Sequence, residues 1–304
     1  MLRCVFVGSE NLFTELIVHW LSNHTRLAGA VWTSSTEWAK TVSKTIEFAK
    51  RRINHFGLAK TLNEIAYYCL SRKILKDHGE PFQTRLYNDY VRVHGQPSWS
   101  GDFIRTDNIN SPDVIKFVRD RCPDLIMSMC IREFFKREIR EIPRLGSFLW
   151  HEGVVPEYKG LYSAFWAAHN REPEMLGYSV LRMNGRYDEG EVYLQGRVTG
   201  IDTKRDSPLY IAHKAILDSL PGVAILFDQL ESNTAKPLSI QGRISGTYTY
   251  PGLTDWIRMK FRNRKANGEV LPARELHLPT PFRGVENKER AESMVNRVSA
   301  RHVD

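Results

Sequence analysis

The order of apolar runs in the first 32 residues constrains the fold more than any other feature of the sequence. Residues 2–7 form a short apolar run that ends in Gly8-Ser9, which predicts a buried strand followed by a turn. Residues 11–21 have apolar side chains at helical spacing, and residues 27–32 form a second apolar run. A strand, a helix and a strand in this order favour a parallel sheet with helices on its faces.

The same alternation continues to about residue 241, so we expect one α/β domain built on a mostly parallel sheet. Ser111-Pro112 is a typical helix start, with Ser111 as N-cap and the proline in the first turn. The remaining predicted strands are 103–105, 125–130, 147–150, 176–183 and 191–198, and the remaining helices are 111–121, 133–141, 162–170, 208–219 and 223–230. Prolines interrupt the pattern after Gly242. We therefore predict a domain at 1–241 and a small C-terminal module or tail at 242–304, which packs on its own domain or on a partner in a homodimer.

Residues 36–98 are predicted to be a mainly helical, basic insertion, interrupted at Gly57. Residues 40–80 contain nine lysines and arginines against four acidic residues, and the whole chain has a formal net charge of +8. Two interpretations remain open for this segment. It is either a pair of solvated helical faces or a surface for a phosphorylated substrate or a nucleic acid.

The spacing of the cysteines and the hydropathy of the sequence indicate which kinds of site and partner to expect. The four cysteines are scattered without C-x-x-C spacing, which favours reduced thiols and predicts no metal site. No run approaches the roughly 20 apolar residues that a spanning helix needs, so we expect no membrane partner. The N-terminus lacks the long apolar run of a secretory signal, which favours a cytoplasmic protein.

Two polar residues are the candidates for chemistry. His151 ends the predicted strand at 147–150, and Asp188 follows the strand at 176–183. Ligands of open α/β sheets bind at the carboxyl ends of strands, so these side chains are expected to meet there. A carboxylate that orients an imidazole can support general acid–base work or acyl transfer. From the residues alone, a structural histidine remains an equal alternative.

Several segments, in the same order along the chain, resemble the folate-dependent formyltransferases. That family includes methionyl-tRNA formyltransferase, glycinamide ribonucleotide formyltransferase and the sugar N-formyltransferases. The resemblance covers roughly residues 1–10 and 100–240. It is carried by Val5-Phe-Val-Gly-Ser9, Pro123-Asp-Leu-Ile-Met-Ser-Met129, Ile142-Pro-Arg-Leu-Gly146, His151 with Pro156 and Gly160 behind it, Asp188-Glu-Gly-Glu-Val192 and Thr234-Ala-Lys-Pro237.

The resemblance implies a Rossmann-like fold and an enzyme that moves a formyl group from 10-formyltetrahydrofolate to a primary amine. In that reading His151 stabilises the tetrahedral intermediate and moves a proton, and Asp188 orients His151. The folate pterin would lie between the end of the strand at 125–130 and the loop before Asp188. The residues implied to line its pocket are Cys130, Ile131, Arg132, Phe134, Phe135, Asn184, Arg186 and Tyr187.

The sequence departs from the family at one position. The family's motif is Asn-x-His, and its asparagine falls on Leu149, which cannot donate a hydrogen bond. Leu149 shares a strand face with His151, and Trp150 is expected to point away.

Three hypotheses about function follow. The protein is an N-formyltransferase for a small anionic amine, such as an amino sugar nucleotide or a natural-product precursor; a methionyl-tRNA formyltransferase; or a catalytically weak folate-binding paralogue. The first is favoured over tRNA as acceptor, because only 62 residues follow Gly242.

Overall fold

A seven-stranded sheet organises the molecule, and it confirms the predicted α/β fold class. The computed structural model describes residues 1–33, 42–131, 133–203 and 205–265. Within them lie strands β1 (Arg3–Ser9), β2 (Arg26–Thr33), β3 (Phe103–Thr106), β4 (Leu125–Met129), β5 (Gly146–His151), β6 (Lys159–Gly160), β7 (Gly177–Met183), β8 (Gly190–Arg197) and β9 (Thr247–Tyr248). The main sheet has the order β3-β2-β1-β4-β5-β7-β8. Its first five strands run parallel, and the β5–β7 and β7–β8 pairs are antiparallel.

The helices begin at capping residues that could be recognised in the sequence. Asn11 forms a reciprocal capping box with Thr14, and the Ser111 hydroxyl accepts the Val114 N–H, as predicted. The helices are α1 (Leu12–His24), α2 (Val42–Phe56), α3 (Leu58–His94), α4 (Pro112–Asp120), α5 (Arg137–Arg140), α6 (Ser163–Asn170), α7 (Pro208–Glu231) and α8 (Leu253–Lys265).

The predicted helix at 133–141 was wrong over its first half, because α5 begins only at Arg137. The cause is the side chain of Asn110, which lies far away in the sequence. Its Nδ2 donates to the Phe134 carbonyl at 2.9 Å, and its Oδ1 accepts the Lys136 N–H at 2.8 Å. These main-chain groups are therefore bonded to the Asn110 side chain instead of to a helical turn.

The two helices predicted at 208–219 and 223–230 are one helix, α7, with Pro221 inside it. Apolar residues on both sides of the proline are buried in one core cluster with the sheet, so packing outweighs the local break. A Cβ on Gly222 would meet the Leu194 side chain at 3.1 Å, so the glycine allows α7 to approach β8 closely. By length and hydropathy α7 would suffice to cross a bilayer, but more than half of its apolar stretch is buried against the sheet. It is a core helix.

The two faces of the sheet carry separate cores. On one face, Trp150 is fully buried, and its Nε1 donates to the Ser219 hydroxyl of α7 at 2.8 Å. On the other face, Leu149 packs with a small cluster that includes Val155 and Leu181. The prediction that Leu149 and Trp150 point to opposite faces is confirmed.

The insertion is helical, as predicted, although α3 continues to His94 and residues 34–41 lie outside the described part. Gly57, with φ of +86°, separates α2 from α3. Arg52 of α2 makes a bidentate ion pair with Glu64 of α3, at 2.6 and 2.7 Å. Its guanidinium also lies 4.4 Å from the Phe56 ring centre and 4.9 Å from that of Tyr250. Arg52 is thus a structural cation rather than part of an open basic surface.

The C-terminal segment packs on the same chain as far as it is described. β9 pairs in parallel with β6, and α8 contacts α3 and α6. The Asn63 side chain of α3 joins the start of α8 by hydrogen bonds to the Thr254 N–H and hydroxyl. The predicted boundary near 241 stays a prediction, and residues 266–304 of the tail lie outside the described part.

Substituting Arg52 by methionine should destabilise the protein, because Glu64 is only 5% exposed and would keep an unpaired buried charge. We expect a loss of about 3–5 kcal/mol in the free energy of unfolding, measured by urea denaturation. The double variant Arg52→Met/Glu64→Leu should recover most of it. Arg51→Met, at an exposed neighbouring position, is the control. An unchanged midpoint for Arg52→Met would show that the ion pair does not join α2 to α3.

Candidate active site

His151 and Asp188 meet, but by a different route from the one that the sequence suggested. His151 Nδ1 lies 3.9 Å from Asp188 Oδ2. The expected shared carboxyl edge was wrong, because β7 runs antiparallel to β5, with Phe148 opposite Arg182 and His151 opposite Ser179. β7 therefore ends beside the start of β5. The loop at 184–189 must therefore lead back along the sheet to bring Asp188 to the histidine.

The ring of His151 is held in one tautomer. Its Nε2 lies 2.9 Å from the Tyr158 carbonyl oxygen and 3.2 Å from the Ser163 hydroxyl. A carbonyl oxygen can only accept a hydrogen bond, so Nε2 carries a hydrogen, and in the neutral ring the lone pair is then on Nδ1, beside the carboxylate. A proton taken up at Nδ1 produces an imidazolium that Asp188 stabilises. The pair can therefore accept and return a proton.

Asp188 is positioned by the main chain of β6. Its Oδ2 accepts the Gly160 N–H at 2.6 Å, and its own backbone has a left-handed φ of +46°. The neighbouring residues of the two segments also pair, with Lys159 Nζ 2.7 Å from Glu189 Oε1. Two adjacent contacts thus attach the loop at 184–189 to β6.

Gly160 is required at its position for two reasons. Its φ is +92°, which disfavours residues with a side chain, and a Cβ would lie 2.1 Å from the Tyr248 carbonyl oxygen of β9. The close approach is a consequence of the parallel pairing of β6 with β9. The N–H that holds Asp188 therefore depends on a strand from the C-terminal segment.

A cavity lies between the loop at 184–189 and the sheet face that carries Leu149. Its lining brings together five of the eight residues implied for the pterin pocket, namely Ile131, Phe134, Phe135, Arg186 and Tyr187. The Phe134 and Tyr187 rings lie 5.2 Å apart, centre to centre, and connect the two walls. Ser128, Leu149, Leu181 and Asp188 also line this cavity.

The other three implied residues are elsewhere. Cys130 is in a left-handed conformation with its carbonyl bonded to the Ser9 hydroxyl at 2.6 Å, and burial raises the pKa of its thiol. It packs against the core beneath rather than lining the cavity. Asn184 faces the neighbouring cleft, and its side chain accepts the Arg186 N–H. Arg132 lies outside the described residues.

The neighbouring cleft measures about 750 Å³, within the range of small-molecule sites. It shares Arg140, Met183, Asp188 and Glu189 with the cavity, so the two spaces lie on either side of these residues. The cleft also brings the cations Arg144, Lys159 and Arg182 together with the carboxylates Glu141 and Glu191. In the described part of the chain, no three histidine, cysteine or acidic side chains are arranged to hold a metal ion.

Ser128 was missed in the sequence, although one signal pointed to it. It is the polar residue inside the otherwise apolar run Leu-Ile-Met-Ser-Met of β4. A polar residue in a fully buried strand needs a partner, and this pattern could have marked it. Arg140, which separates cavity and cleft, had no comparable signal because it lies on a short polar helix.

Comparisons with known proteins find formyltransferases. No family model matches the chain. GDP-perosamine N-formyltransferase of Brucella melitensis is 31% identical over 107 residues, which are 35% of this chain and 40% of that protein. Methionyl-tRNA formyltransferase of Geobacter metallireducens is 26% identical over 106 residues, which are 35% of this chain and 32% of that protein. The chain thus matches two fifths or less of the length of these relatives.

The solved structures that superpose on this chain have names of the same kind as these sequence relatives. A sugar N-formyltransferase from a Shewanella species superposes with a TM-score of 0.48 and 12% identity, over 85% of this chain and 87% of its own. A glycinamide ribonucleotide transformylase from Symbiobacterium toebii superposes with a TM-score of 0.47 and 13% identity, over 80% of this chain and 92% of its own.

Alanine at Gly160 should destabilise the protein more than alanine at Gly242. Both glycines have positive φ, but nothing lies within 4 Å of a Cβ on Gly242. Gly242→Ala should therefore cost only the left-handed strain, about 1–2 kcal/mol. Gly160→Ala must also displace the Tyr248 carbonyl and should cost clearly more. Urea denaturation of both variants measures the difference, and equal losses would contradict a tight β6–β9 contact.

Proposed function

We propose that this protein transfers a formyl group from 10-formyltetrahydrofolate to a primary amine of a small, anionic acceptor, such as an amino sugar nucleotide or a natural-product precursor. The observation that carries the proposal is the His151–Asp188 pair, whose aspartate lines a cavity with aromatic walls. The sequence relatives, which are themselves formyltransferases, support the same reaction class.

The residues around the cavity match the chemistry of a flat, partly polar ring such as a pterin, but the cavity measures about 60 Å³ and would have to widen to admit one. Ile131, Phe134 and Tyr187 offer apolar and aromatic surface on both sides. The loop at 184–189 supplies main-chain polar groups next to them, and pterins have several ring nitrogens that can bond to such groups. When bound, 10-formyltetrahydrofolate supplies a formyl carbon that an amine can attack.

The chain's own contribution is proton transfer. His151 Nδ1 can take the proton that an attacking amine must lose, while the Tyr158 carbonyl and the Ser163 hydroxyl keep the ring in place. Asp188 balances the resulting charge at 3.9 Å. General base catalysis of this kind contributes about 10²–10⁴ to a rate.

The anionic class of acceptor is supported by the cleft on the other side of Asp188. Arg182 is 45% exposed there, and its closest carboxylate contact, to Glu191, is long at 4.0 Å. Guanidinium groups bind phosphate oxygens in a bidentate manner. Arg182 is therefore the side chain that we expect to contact an acceptor phosphate.

The proposal is tested by incubating the protein with 10-formyltetrahydrofolate and a panel of amines, and by detecting formylated products by mass spectrometry. The panel contains amino sugar nucleotides and methionyl-tRNA. We expect a formylated amino sugar nucleotide or a related small amine. Product from the charged tRNA alone would favour the second hypothesis, and folate binding without any product would favour the catalytically weak paralogue.

His151→Ala should abolish turnover, and Asp188→Ala should reduce kcat severely, because proton transfer and its charge balance would be lost. His151→Ala should still bind 5-formyltetrahydrofolate in a thermal-shift assay, whereas Asp188→Ala should bind it more weakly, because the loop at 184–189 loses its hydrogen bond to Gly160. Asp228→Ala, an exposed change on α7, is the matched control and should keep full activity. Full activity in both site variants would place the chemistry elsewhere.

A further inference from the structure

The hydroxyl of Ser128 is buried without a hydrogen-bond partner among the described residues. Ser128 is 0% exposed, and its Oγ has neither a donor nor an acceptor within bonding distance. Leaving such a group unsatisfied costs about 1–3 kcal/mol. Alanine would fill nearly the same space without that cost, so the hydroxyl does not stabilise the fold through a hydrogen bond.

The position of Ser128 shows what the hydroxyl faces. Ser128 on β4 is the direct partner of Leu149 on β5, and paired residues of parallel strands point to the same sheet face. Both line the cavity beneath the loop at 184–189, together with Asp188. A group bound in this cavity therefore lies close to both Ser128 and Asp188, and the Asp188 carboxylate in turn contacts His151.

Among the described residues next to Ser128 on this sheet face, no other hydroxyl is unused. Leu149 and Leu181 are apolar, and the neighbouring Ser147 already donates to the Arg140 carbonyl at 2.9 Å. A ligand oxygen that reaches this part of the cavity therefore finds one unused hydroxyl. In such an apolar environment a hydrogen bond is stronger than in water.

We infer that Ser128 donates a hydrogen bond to the carbonyl oxygen of the formyl group that is to be transferred. This inference rests on the proposed function and adds to it the donor that Leu149 cannot supply. The hydrogen bond polarises the carbonyl and stabilises the negative charge that develops on its oxygen during attack. Ser128 is then a catalytic residue, whereas Leu149 shapes the cavity.

The test is a binding cycle with two ligands that differ only in the formyl group: 10-formyl-5,8-dideazafolate and 5,8-dideazafolate. Calorimetry on the full chain, without any amine acceptor, measures both affinities for the wild type and for Ser128→Ala. We expect the substitution to weaken the formylated ligand about 2–10-fold, the value of one neutral hydrogen bond, and to leave the other ligand unchanged. Turnover should fall more, about 10²-fold, as expected when an oxyanion donor is lost.

Thermal denaturation without ligand adds a readout that a merely structural serine would not give. Ser128→Ala should leave the melting temperature unchanged or raise it, because an unsatisfied hydroxyl is removed. Ser219→Ala is the matched control, since Ser219 is equally buried but accepts the Trp150 N–H. That variant should lower the melting temperature and leave the affinities for both ligands as they are.

Two results would overturn the inference. If Ser128→Ala weakens both ligands equally, or neither, the hydroxyl does not contact the formyl group, and the proposed function stands without it. If the wild-type protein binds neither ligand at millimolar concentration, the proposed function fails together with the inference. The two failures are thus distinguishable.

Discussion

The hydrogen bond from the Gly160 N–H to Asp188 is the interaction on which the candidate site depends. β7 runs antiparallel to β5 and ends beside the start of that strand, away from His151. The following loop, which carries Asp188, turns back toward the histidine and must be held in that position. The Gly160 N–H and the adjacent Lys159–Glu189 ion pair hold it there. Without them, the carboxylate would have no fixed place beside the imidazole, and the cavity would lose one of its two walls.

β6 also connects the candidate site to segments that lie far from it in the sequence. β6 is paired with β9, and the Tyr158 and Tyr248 rings stack at 5.0 Å. Arg52 of the insertion bonds to Thr249 and lies against the Tyr250 ring, next in sequence to β9. The insertion therefore supports the strand that supports the aspartate. Arg52 thus has a structural role in the fold. The net positive charge of the insertion did not indicate that role.

Local sequence patterns predicted the strands of the main sheet, because a buried strand has an apolar run in its own sequence. A helix start likewise has its capping residue in its own sequence. These patterns failed where the partner was distant. Residues 134–136 are held out of the helix by Asn110, and the two-residue strands β6 and β9 exist only through each other. The approach of His151 to Asp188 was predicted, but from a shared edge that the antiparallel β7 excludes. The orphaned hydroxyl of Ser128 could not be foreseen, since its lack of a partner is a property of the assembled sheet.

The pairing of Gly160 with Tyr248 also sets an order of events during synthesis. Domains generally fold as units, and the N-terminal part of a chain leaves the ribosome first. The seven strands of the main sheet are complete once Arg197 has emerged, but β6 acquires its partner only 50 residues later, at Thr247–Tyr248. A nascent chain can therefore expose every strand of the main sheet before the strand that backs the carboxylate beside His151 has emerged. The site is among the last parts of the described chain to be completed.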